Sequence, residues 1–341
     1  MIELRNNRLM FSFPEVHADA GFAIDFQRTL RIPDDGTRYS LPPGLGRFPL
    51  RHVDDFAHRV ASRWLDHGGV MLPMYQSEAL WLNFSAGGAA FSYPFAVKIA
   101  TGKIDAVTGK TWSDGLHRKQ DYVVVPDQPW LDGYCVEKGL IRQFVAMPLG
   151  SGYSVEEQIT GEAEHGSIQI IAYPMRREAY EKRRREWEAR PRRVDFEHAV
   201  YAEVACAPAM YDMGLAPGGR MRQEIYDDPY DFDEWDAANA SRCFVHIANS
   251  LVWRAITGSN PPTTPPTAKE YTSAGLPWFE YYAGDREALE GAPALAGLKS
   301  VSEMGKEKGD VPLPENEPVT PENIIRLRSE LAPGQVREGR F

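Results

Sequence analysis

The chain has 341 residues, 43% hydrophobic and 25% charged, with a net charge of −10. That is ordinary usage for one large globular domain or about two, and it excludes wholesale disorder. No stretch approaches the roughly 18–20 apolar residues that cross a bilayer. Cys135, Cys206 and Cys243 are too far apart for a disulfide framework or a clustered zinc site, and Glu3, Arg5 and Arg8 stand where a signal peptide would be apolar, so the expected compartment is the reducing cytoplasm.

In chain order, residues 1–50 read as short strands punctuated by Pro14, Pro33, Pro42 and Pro43. Val53, Phe56, Val60, Trp64 and Leu65 recur at helical spacing and predict a helix over residues 53–67, stopped by Gly68-Gly69. From 70 to 174 the pattern is β: residues 79–84, a hairpin of 96–100 and 103–107 around Thr101-Gly102, the β-branched run 122–125, and residues 141–147 and 167–173.

Residues 176–190 are the clearest helix, with Glu178–Lys182, Glu181–Arg185 and Arg184–Glu188 at i,i+4 spacing, and Pro191 ends it. From 176 to 193 there are 9 basic and 4 acidic residues, while from 194 onward there are 13 basic and 24 acidic. Residues 199–206 look β-like, and 243–256 suit either a strand or a buried helix. From Gly258 the chain is proline-rich, but Trp278, Phe279, Tyr281 and Tyr282 predict an arm docked on the body.

These elements predict an α+β, β-rich fold: an antiparallel sandwich or barrel-like body with a few helices and a proline-rich C-terminal arm. The expected divisions are a β-rich domain over 1–175, an arginine-rich linking helix over 176–193, a second β-rich or mixed segment over 194–257 packing on the first, and the arm over 258–341.

Three strings, YVVVPDQPWLDG (122–133), IRQFVAMPLGSGYSVEEQITG (141–161) and MGLAPGGRMRQEIYDDPY (213–230), resemble recurring motifs of a family of bacterial and fungal hypothetical proteins. The resemblance covers most of the chain and implies one architecture. The family has no established activity and lends no catalytic residue or cofactor.

Trp130 beside Asp132 pairs an aromatic face with a carboxylate, the make-up of a sugar or small-ligand site; the plainer reading is a ring plugging the sandwich end, with Asp132-Gly133 as a turn. Arg142 on a strand precedes Glu156-Glu157. Paired carboxylates do acid–base work when their environments split their pKa values, but strand neighbours face opposite ways, so an ion pair of Arg142 with one of them is expected instead. Gly218-Gly219-Arg220 reads as a glycine turn, with the potential to hold an anion.

Asp227, Asp228, Asp231 and Asp233, followed by Glu234 and Asp236, are the metal candidates. Calcium takes several carboxylate oxygens from a short loop, yet Tyr230, Phe232 and Trp235 interleave them as in an amphipathic segment with its rings inward. No histidine pair has zinc spacing; His246, in an apolar run, is expected to be a hydrogen-bonded core residue. The glutamates among the arginines of 176–193 disfavour nucleic acid as a partner.

The leading expectation is a non-catalytic binding or assembly protein without a cofactor or membrane contact, with a homo-oligomer formed through the arm as its partner. The alternatives are a hydrolase of a small or carbohydrate-like substrate using Asp132, Glu156, Glu157 and the acidic cluster from Asp227 to Asp236, and a calcium-dependent module.

Overall fold

The computed structural model describes residues 1–86, 91–189, 212–282 and 286–328. Two large sheets share one core. The larger runs, edge to edge, through Ile2–Arg5, Arg8–Ser12, Gly21–Thr29, Ala79–Ala86, Leu140–Pro148, Met213–Arg222 and Arg38–Tyr39, with Gly44–Arg47, Trp130–Leu131 and Gly133–Glu137 paired onto it off that path. The smaller runs through Ile104–Asp105, Phe95–Thr101, Ile168–Pro174, Ser241–Asn249, Val70–Met74 and Arg51–His52, with Val123–Val125 beside Phe95–Thr101. Neither closes into a barrel among the described residues.

Alternation explains how the sheets meet. In Ala79–Ala86, Leu80, Leu82 and Phe84 are buried while Trp81, Asn83 and Ser85 are half-buried, the pattern of a strand with one face on the core. Between the sheets Phe22 and Phe95 sit 4.5 Å apart by ring centroid, and the Tyr134 and Thr101 hydroxyls are 2.6 Å apart. Each such buried ring or aliphatic chain contributes about 1.5–3 kcal/mol of transfer free energy.

The fold is therefore the expected β-rich α+β sandwich, but its sheets are mixed where antiparallel ones were expected. Met213–Arg222 pairs in parallel with Arg38–Tyr39, and Ser241–Asn249 with Val70–Met74. The first parallel pair arises because the chain leaving Gly21–Thr29 crosses the Met213–Arg222 strand to reach its far side. The crossing needs Gly219, where a Cβ would lie 2.4 Å from the Pro33 carbonyl oxygen.

Helical periodicity over 53–67 resolves into a 3-10 turn, Asp54–Phe56, and a short helix, Ser62–His67. The ambiguous apolar stretch is both things in succession: the strand Ser241–Asn249, then the helix Ser250–Thr257, capped by the Asn249 side chain, which accepts from the Leu251 amide at 3.0 Å. Residues 199–206 lie outside the described set.

The arginine-rich helix spans Arg177–Glu188. Arg184–Glu188 forms at 3.7 Å, whereas Glu181 is taken by Arg177 at 2.9 Å. Tyr180 is its buried anchor, against His17, Phe91 and Tyr93. Arg183 bridges to Glu234 and Arg184 to Asp19, so the helix ties the N-terminal region to the acidic loop.

The arm docks on its own body. Tyr75 donates to the Pro262 carbonyl at 2.7 Å, and Arg28 donates to that of Thr263. Trp278 is fully buried, and Phe279 bridges to Leu41. The strand Trp278–Tyr282 pairs in parallel with Ile324–Arg328. The helix Val301–Lys308 lays Val301 and Met304 against Ala79, Val145 and Ala216 on the outer face of the larger sheet.

Candidate functional site

The strand Gly21–Thr29 sets the polar Asp25 and Gln27 in alternation with the apolar Phe22, Ile24 and Phe26. The apolar side chains enter the core, so alternation turns Asp25 and Gln27 to the outer face. Register then builds a patch across four strands. Asn83 lies opposite both Asp25 and Trp130, and Gln27 lies opposite both Trp81 and Arg47. Directly opposed residues share a face, and diagonal ones remain within reach of large side chains. Trp81 and Trp130 are thus diagonal neighbours flanking Asn83.

Asp25 is fully buried beneath this patch. It accepts from Asn83 Nδ2 at 3.2 Å and from Gln27 Nε2, and pairs with Arg8 Nε at 3.1 Å and Arg47 Nε at 3.6 Å. Two hydrogen-bond donors and two ion-paired guanidiniums thus surround the carboxylate, and Asp25 fixes its neighbours in place. The two arginine side chains remain 32% and 29% exposed although their Nε atoms are buried.

Gly44 packs against Trp81, where a Cβ would come within 3.5 Å of its ring. Tyr281, from the arm, meets Trp130 edge-on at 4.8 Å. The strip therefore offers two partly exposed indoles, an asparagine held by one of its own donors, and two guanidiniums.

Of the sequence candidates only Trp130 joins it. Asp132-Gly133 is no turn: Asp132 is the buried link between the strands Trp130–Leu131 and Gly133–Glu137, donating its backbone N–H to Gln223 Oε1 at 3.0 Å and accepting Gln223 Nε2 at 2.9 Å. Burial outweighs these hydrogen bonds and pushes its carboxyl up to about 7. Gln128 and Gln120 make matching contacts to the 224–228 backbone, so Gln128 and Gln223 stitch the first resemblance string to the third, and Gln120 adds a tie from just ahead of the first.

Glu156 and Glu157 are not on a strand but in the helix Val155–Thr160. Glu156 is buried and accepts the backbone N–H groups of Glu164, His165 and Gly166 at 2.7–3.0 Å. Glu157 closes the capping box with Ser154. The sequence SVEE is itself a capping-box signature, and reading it as strand missed it. Arg142 pairs with neither. It bonds Glu303 at 3.3 Å, with Asp34 at 4.0 Å, because the arm brings the helix Val301–Lys308 over its strand. Gly218-Gly219-Arg220 is no turn; it lies within Met213–Arg222, its glycines required where the crossing chain and Val145 come close.

The acidic loop does not assemble a calcium site. Asp228 accepts the Tyr122 hydroxyl at 2.6 Å and Trp235 Nε1 at 2.8 Å, Asp233 receives both Arg118 contacts at 2.7 and 2.9 Å, and Asp236 caps the turn at Ala238 and Asn239. Asp227 and Asp231 do not join them: among the described residues no three His, Cys, Asp or Glu side chains converge to hold a metal ion. The inward rings of Tyr230 and Trp235 won the competition foreseen from their spacing. His246 is buried, with Nε2 3.0 Å from the Gly68 carbonyl oxygen, and burial lowers its pKa to about 4.

Trp81, Asn83, Asp25, Arg8 and Arg47 escaped the sequence reading. Their signal was present: polar residues interrupting strongly apolar strands, and the alternation Trp-Leu-Asn-Phe-Ser at 81–85. Fold and geometry define a two-sheet β-rich protein with an indole- and guanidinium-lined strip on its outer face. No family model, curated protein or solved structure matches the chain.

Proposed function

We propose that this chain is a non-catalytic binding protein whose outer-face strip takes a saccharide-like ring ligand. The observation that carries the reading is the diagonal pair of half-buried indoles, Trp81 and Trp130, on either side of Asn83. Indoles stack on the apolar face of a sugar ring while planar polar side chains satisfy its hydroxyls. Asn83 spends Nδ2 on Asp25 and keeps its carbonyl oxygen for a ligand hydroxyl. The two partly exposed guanidiniums, Arg8 and Arg47, favour a ring bearing a carboxylate.

The hydrolase alternative draws no support from Asp132, Glu156 and Glu157, each held by its own partners in a different place. Arm exchange between copies draws none from the docked anchors, which are filled from the same chain.

Tryptophan fluorescence and calorimetric titration of the full chain with uronate oligosaccharides, and with neutral ones of equal length, test the reading. Saturable binding that favours the uronates, is weakened about tenfold in Trp81→Ala, and is accompanied by no bond cleavage supports it. Absence of saturable binding to either class overturns it.

A further inference from the structure

The edge of the larger sheet holds an arrangement that the strip does not use. Arg142, Arg220 and Arg38 stand directly opposite one another across three adjacent strands, Arg142 against Arg220 in the antiparallel pair and Arg220 against Arg38 in the parallel one. Like charges directly opposed on a sheet repel, so such a row requires counter-anions.

Two of the three have them. Arg142, almost fully buried, pairs with Glu303 and faces Asp34. Arg38 pairs with Glu137 at 3.2 Å, both more than half exposed. Arg220, in the middle and half-buried, forms no hydrogen bond or ion pair among the described residues. It contributes only a longer-range pull that helps keep the Glu303 carboxyl below its usual range, a shift in which burial opposes the Ser300 amide and Arg142. Glu303 is already occupied by the Ser300 N–H and by Arg142, so it has little left to offer.

We infer that Arg220, flanked by Arg38 and Arg142, is the centre of an oxyanion site that takes a phosphate-type group. A guanidinium presents five donors in a planar fork that matches a tetrahedral oxyanion. The neighbouring exposed Arg38–Glu137 pair holds its partners weakly, leaving Arg38 free to turn toward a ligand on Arg220. The site lies on a different strand pair from the indole strip and stands or falls independently of it.

Inorganic phosphate is the probe, titrated calorimetrically into the full chain at fixed ionic strength, with chloride as control. The expected result is one saturable site whose affinity falls about ten- to a hundredfold in Arg220→Met, the loss of one or two charge-assisted bonds. The same variant removes an unneutralised charge between two others, so in phosphate-free buffer it should unfold at a higher temperature than the parent. Phosphate binding equal in parent and variant, no saturable heat at all, or a lower unfolding temperature for Arg220→Met in phosphate-free buffer would each overturn the assignment.

Discussion

Asp25 and Arg28 sit three residues apart on one strand and face opposite sides of the larger sheet, and each anchors an arginine–carboxylate cluster. On the inner side Arg28 and Glu78 are 2.7 Å apart and 2% and 1% exposed. Arg28 also holds the Thr263 carbonyl, while Glu78 takes the Tyr75 N–H at 2.9 Å. On the outer side the carboxylate is just as buried, but its two arginines are about one-third exposed. Both carboxylates are buried and paired with arginine; the clusters differ at the guanidinium. A pair sealed under the proline-rich arm spends its donors on the chain and can only clasp. A pair whose cations stay partly exposed remains within reach of a molecule outside the chain.

The largest effect should come from breaking the sealed cluster. Glu78→Ala leaves a buried guanidinium unpaired, which costs about 3–5 kcal/mol. Urea unfolding measures it, and the arm near residue 263 should become protease-sensitive in the same variant. Asp25→Ala should cost less, about 1–3 kcal/mol, because its arginines can recruit water. Equal losses at the two positions would erase the distinction between clasp and strip.

Buried groups with no opposite charge extend the same reasoning to pH. His246 falls from 6.5 unfolded to about 4 folded, so the native state resists protonation. Its contribution is fully present above pH 6.5 and is lost as pH falls toward 4, on the order of 3 kcal/mol. Asp132, raised from 3.8 to about 7, acts in the opposite sense: the native state prefers the protonated acid, and stability is lost as pH rises from 3.8 to 7. Thermal unfolding across pH 4–8 should therefore lose its acid limb in His246→Gln and its neutral limb in Asp132→Asn. Unchanged profiles would mean that neither group is sealed from water.

Trp81→Ala should sharpen the contrast from the open side, weakening saccharide binding by about tenfold while moving the unfolding midpoint by only a few degrees. A fall as large as that of Glu78→Ala would make the indole a core residue instead of a binding surface. The smallest effect belongs to the acidic loop. Asp233→Asn removes an exposed pair with Arg118 and should change stability by less than about 1 kcal/mol, and calcium should not shift the midpoint of either form.

Local pattern was enough for much of the fold. The alternation in residues 79–84, the hairpin at Thr101-Gly102, where Gly102 and Lys103 both take positive φ, the arginine helix, and the docking of the arm on its aromatic anchors all follow from periods of 2 and 3.6 and from turn chemistry, which act over a few residues. What only the tertiary structure decided was which residues meet. Register placed Trp130 beside Asn83 instead of leaving it with Asp132. The returning arm gave Arg142 to Glu303 in place of Glu156 or Glu157, and the crossing of Pro33 over Gly219 put three arginines in a row. Such pairings join residues tens to more than a hundred positions apart. They are set by how whole sheets align and which faces they bury, and no window of sequence contains both partners.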